Sequence, residues 1–219
     1  CASSAGPCRA GRMMDFYTEL KGWQGSIGSV LGFVALISGA LFNFRLNRKR
    51  DERLRNEEIV SIACALYGEI VILRQSVARM ANAVGYRYIR HGFHGDQPID
   101  QHFVEQFAIH KPKLYLALAS KVGMLQSQLA LEVVQFYARV EEAETWLPRL
   151  QEDDERPYSY GVKYVLDPAI DAVIGVTPAL RIIENMAGIV DEAGMPDLKS
   201  ALDAQEFENM QNEAHQERD

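Results

Sequence analysis

From Ile59 onward, apolar residues recur at Ile62, Leu66, Ile70, Leu73, Val77, Met80 or Ala81, and Val84, which is one stripe of a helix. The steps 59, 70, 81 and 62, 73, 84 are eleven residues apart, a closer match than a strict heptad. The pattern predicts a packed helix over 48–84 rather than a long left-handed coiled coil, with Gly85 and the loop run Arg90-His-Gly-Phe-His-Gly-Asp-Gln-Pro ending it. Pro98 suits the first turn of a short helix to Ile109 with Phe103, Val104 and Phe107 on one face. Lys111-Pro112 stops it and begins another over 113–122, whose face is Leu114, Leu118 and Val122.

A break at Gly123, with Ser127 as N-cap, opens a helix to Gln151 with Leu129, Val133, Phe136, Val140, Ala143 and Leu147 inward. Residues 151–160 read as a loop. Asp167-Pro168 reads as the N-cap and first turn of a helix reaching Ala193, closed by Gly194 and Pro196 and kinked or split at Thr177-Pro178. No strand-period alternation and no internal repeat is present, so the expected fold class is all-α.

Upstream of these stripes the pattern is uniform. Gly22–Phe44 is a run of twenty-three uncharged residues. As a helix it spans about 35 Å, enough for a hydrocarbon core of about 30 Å. Trp23 suits one membrane interface, and Phe42, Phe44 and Arg45 mark the other. No proline separates this span from the 48–84 helix. The expectation is one N-terminal transmembrane helix continuing into a long helix, packed with a cytoplasmic bundle of about four to five helices.

Charge orients the span. Arg45, Arg48, Lys49, Arg50, Arg53 and Arg55 follow it at once, against Asp51 and Glu52. The positive-inside bias places the N-terminus outside and the rest in the cytoplasm. This collar suits anionic headgroups, at about 1 kcal/mol per base near the surface. Residues 56–219 carry fourteen bases and twenty-six acids, a balance that repels phosphate and argues against nucleic acid as a partner. The expected domains are an N-terminal extension over 1–13 without structure, a membrane segment over 14–45, a cytoplasmic helical domain over 46–196, and an acidic tail over 197–219 forming one frayed helix and then disorder.

Within the span, Gly25, Gly28, Gly32, Ala35 and Gly39 fall on one stripe, and Gly28–Gly32 is a GxxxG. Small residues let a second helix backbone approach, so the stripe is a candidate seam for a homodimer or a membrane-protein partner. Catalytic signatures are lacking: no GxSxG, no GxxxxGK[ST], and no GxGxxG after a strand. His91, His94 and His102, with Asp96, form a candidate metal set on a Gly-rich loop, without the i,i+4 spacing of a helical zinc motif. Solvated loop histidines are the plainer reading, and no metal or cofactor is expected. Cys64, beside Ala63 and Ala65, reads as a small core residue. Tyr86, Tyr88, Tyr158, Tyr160 and Tyr164 flank the two loops, as caps of the bundle ends or as a partner surface.

The segments Gly22-Trp-Gln-Gly, Gly39-Ala-Leu-Phe-Asn-Phe-Arg-Leu-Asn-Arg-Lys-Arg-Asp-Glu-Arg-Leu-Arg, Val122-Gly-Met-Leu and Val134-Gln-Phe-Tyr resemble elements of uncharacterised bacterial single-pass membrane proteins with a cytoplasmic helical domain. The resemblance implies an inner-membrane address and brings no activity or site residue. The functional expectation is a membrane-anchored scaffold or interaction protein, not an enzyme. The alternatives are an accessory or sensor subunit packing through the seam, and a metal-dependent enzyme using the loop histidines.

Overall fold

A computed structural model describes residues 10–91, 99–151, 161–190 and 192–216. Among the described residues there is no strand, and the fold is all-α. The helices are α1 (Ala10–His91), α2 (Gln101–Gln106), α3 (Lys113–Leu118), α4 (Ser127–Trp146), α5 (Val162–Gly175), α6 (Thr177–Ala187) and α7 (Lys199–Gln216), with 3-10 turns at Ala119–Met124 and Leu147–Leu150. Two compact units divide at Asn56/Glu57. The second, Glu57–Asp219, contains the last part of α1 and every other helix.

The α1 stripe becomes core. Ile62, Leu66, Ile70, Leu73, Val77, Met80, Ala81 and Val84 are buried, and the shorter helices pack against them. Leu129, Val133, Phe136, Val140 and Ala143 of α4 are buried as predicted, and Leu147 is buried in the 3-10 turn that follows, at about 1.5–3 kcal/mol for each large side chain. Cys64 is exposed, contrary to the expectation of a core position. It lies about 200° around the helix from the buried Ile62.

Boundaries moved where packing outweighed local signals. Gly85 does not end α1, which runs on to His91. It is instead a close-approach position: a Cβ there would stand 2.8 Å from the Ser200 carbonyl carbon and 2.9 Å from the Ala201 Cα. α2 starts late because the Asp100 carboxylate caps it, accepting from the Phe103 N–H at 2.8 Å. Pro98 lies outside the described residues. Leu114, expected inward, is exposed, and Tyr115 turns in to stack on Tyr137 at 3.9 Å. Gln126, not Ser127, is the N-cap of α4, without a side-chain bond.

The largest displacement is in α5. It begins at Val162, so Asp167 is not a cap and Pro168 lies inside the helix. An interior proline costs about 3 kcal/mol. Starting early buries Val162, Val165 and Leu166 completely, and three such side chains outweigh that cost. The expected split at Pro178 does occur, at Val176. The following helix stops at Gly188 (φ 66°, left-handed) and not near Gly194, with the Ile189 N–H bonded to the Glu184 carbonyl at 2.9 Å.

The acidic segment from Asp197 forms the expected helix, and its first part is packed. Leu198, Ala201, Ala204 and Glu208 of this segment are buried, and α7 packs against α5. Its alternation of alanines with acids hides a narrow apolar face. The loop over 152–160 and residues 217–219 lie outside the described residues.

Candidate functional site

The candidate membrane segment is the apolar part of α1. An 18-residue segment of it has mean hydropathy 1.6, and none of that segment is buried inside the protein. By length and composition this is a helix able to cross a membrane. Val30, Leu31, Phe33, Leu36 and Phe42 are all exposed, a concentration of bare apolar surface that water does not favour. A side chain at Gly28, Gly32 or Gly39 would meet open space beyond the local helix backbone, and Ala35 is exposed. Gly25 lies in the same helix, with its surroundings outside the described residues. The collar residues Arg45, Arg48, Lys49, Arg50, Arg53 and Arg55 are exposed too. Arg48 pairs with Glu52 at 3.0 Å, both side chains well over half exposed, which contributes little stability.

The predicted metal set is not assembled. His94 and Asp96 lie outside the described residues. His91 is half-buried in the last turn of α1, and His102 is exposed on α2. Among the described residues no group of three or more His, Cys, Asp and Glu side chains is placed to hold a metal. Of the loop-flanking tyrosines, Tyr88 is buried edge-on to Phe207, Tyr164 stacks on Trp146 at 4.6 Å, and Tyr86 lies under Arg90. Tyr158 and Tyr160 lie outside the described residues.

Sequence patterning gave no sign of three polar clusters inside the domain. The first is centred on Glu69 of α1. Its carboxylate accepts from the Leu114 and Tyr115 N–H groups, both at 2.8 Å, and from the Tyr137 hydroxyl at 2.9 Å. It thus caps α3, whose own N-cap Pro112 offers no side-chain acceptor. Burial, then the Glu69 bond, pushes the Tyr137 hydroxyl far above its ordinary value, so it serves as a donor only.

The second centres on Glu184 of α6, only 3% exposed. Its carboxylate accepts from the Tyr67 hydroxyl and the Ala193 N–H at 2.8 Å, and from Arg181 at 2.7 Å. Burial works to raise its pKa, but the Ala193, Tyr67 and Arg181 bonds outweigh it and hold the carboxyl below its ordinary value. Arg181 reaches on to Glu192 at 2.7 Å.

The third is Arg74 of α1, 2% exposed. Its guanidinium donates to the Val173 carbonyl and the Thr177 hydroxyl at 2.8 Å, and to the Gly194 carbonyl at 3.4 Å. Burial lowers its pKa from the ordinary guanidinium value, and the carbonyl and hydroxyl acceptors around it take the place of water. These acceptors lie at the break between α5 and α6 and in the 192–198 segment, so one side chain ties three parts of the fold together. Thr177, expected as a helix cap, is used here instead.

These charges are occupied in holding helices, and neither Glu69 nor Glu184 is presented as an open base. Two clefts are also present. One of about 290 Å³ between α4 and α5 is lined by Glu132, Phe136, Arg139, Asp171 and Ile174, with Arg139 reaching Asp171 at 3.6 Å. The other, about 440 Å³, lies beside Ile174, Met195, Leu198 and Leu202. No family model matches this chain, and no curated protein or solved structure matches it either.

Proposed function

We propose that this chain is a single-pass protein of the bacterial inner membrane whose helical domain lies in the cytoplasm and acts as a scaffold or interaction module. The observation that carries the reading is the unburied apolar stretch of α1, followed directly by six exposed bases. A lipid bilayer is the environment that covers such a surface, and anionic headgroups are the partner that its collar fits. The saturated clusters at Glu69, Glu184 and Arg74 support a structural domain over a catalytic one. Carbonate washing of membranes holding the full chain tests the anchor. The protein is expected to stay in the pellet, and its release with the soluble fraction would overturn the proposal.

A second reading has its own observation. Nothing packs on Gly28, Gly32 or Gly39, so that side of the helix is open to a second helix. On this reading the chain is an accessory or sensor subunit of a larger membrane complex, or a homodimer, joined along Gly25, Gly28, Gly32, Ala35 and Gly39.

A further inference from the structure

Helix α7 is held to the bundle by a face of small residues. Ala201 and Ala204 are fully buried, and Gly85 of α1 gives room for its first turn. Asn82 anchors that end, accepting from the Ala201 N–H at 3.1 Å and donating to the Asp197 carbonyl at 2.7 Å. One turn beyond Ala204 the same face carries Glu208, 3% exposed, and neither of its carboxyl oxygens has a hydrogen-bond partner. A buried, unpartnered carboxyl is an expensive group to place at a helix contact.

The groups around it relieve that cost only in part. From α5 the charged neighbours are Asp167 and Lys163. The Lys163 ammonium is engaged with Asn209 at 3.3 Å, and Asp167 accepts from Gln205. From α1, Asn82, Gly85 and the ring of Tyr88 face α7, none of them charged. Glu208 therefore sits beside a second carboxylate, and although the Lys163 charge and backbone N–H favour its ionised form, burial and Asp167 outweigh them.

We propose that Glu208 is a proton-operated latch, holding α7 on α5 while its carboxyl is protonated and releasing the helix when that proton leaves for water. Burial, and then the Asp167 carboxylate, pushes the Glu208 carboxyl up to about 7. The sign follows from linkage. The docked value lies above the ordinary 4.5 of a free side chain, so docking is strongest below 4.5 and weakens as pH rises through about 7. Release bares Gly85 and Tyr88 of α1, a surface that α7 otherwise covers.

The test is amide hydrogen exchange on the full chain in lipid nanodiscs from pH 5 to 8, corrected for the intrinsic rate. Protection at residues 201–210 is expected to fall about tenfold per pH unit up to about 7 and then level off, while α4 keeps its protection. The isosteric, uncharged Glu208→Gln variant is expected to stay protected with no such fall. Asp167→Asn, which removes the neighbouring charge, is expected to move the wild-type profile. A flat wild-type profile, an E208Q profile that still falls, or a D167N profile superimposable on wild type overturns the latch.

Discussion

Glu184 and Glu208 are both 3% exposed, yet their environments drive them in opposite directions. Glu184 accepts from two neutral donors and a guanidinium, which favours its charged form. Its folded pKa is depressed, so its contribution is present above the unfolded value near 4.5 and is lost as pH falls through the folded one. Replacing it by glutamine removes the charged acceptor but keeps the shape. We expect E184Q to lower stability at pH 7 by about 1–3 kcal/mol, chiefly from the Tyr67 and Ala193 bonds. Arg181, a third exposed, is rehydrated at little cost. Urea denaturation at pH 7 and below 4.5 checks it: wild type should lose stability on acidification and E184Q should lose less. Parallel acid losses would show that Glu184 is not the group responsible.

Among the elements, α3 depends most on a distant residue. At six residues it is too short to hold a helix by itself, and no side chain at its own start caps it. Glu69 caps it from α1, forty-five positions away in the chain. The Glu69→Ala variant is therefore expected to melt α3 locally, raising amide exchange at Leu114 and Tyr115 about ten-fold or more. It also leaves the Tyr137 hydroxyl without its acceptor. Unchanged exchange at these two amides would show that the cap is dispensable. The same contact explains what the sequence could and could not disclose. The α4 stripe was legible because twenty residues of 3.6-period repetition leave little choice of face. Glu69, Tyr67 and Glu184 were not, because Tyr67 and Glu184 lie 117 positions apart and hydrogen bonds leave no period. Asp167-Pro168 misled for a related reason. Its local signal is that of a helix start, but Val162 and Leu166 gain more from burial than an interior proline costs.

For the whole molecule, the open question is what lies against the apolar part of α1. Lipid alone satisfies its hydropathy, since acyl chains cover leucine and phenylalanine as well as protein does. It leaves two explanations for five small residues on one side, the general frequency of glycine in membrane helices and a packing seam. On the seam reading proposed above, a second helix would approach closely along Gly28 and Gly32, where open space surrounds the backbone. Changing both to leucine separates the two roles, because leucine fills the seam and raises the hydropathy of the span. The G28L/G32L variant is therefore expected to remain in the carbonate-washed pellet while losing most of the species that wild type forms on cross-linking in native membranes. If the cross-linked species survives the double change, the seam is not the contact and the helix is an anchor only.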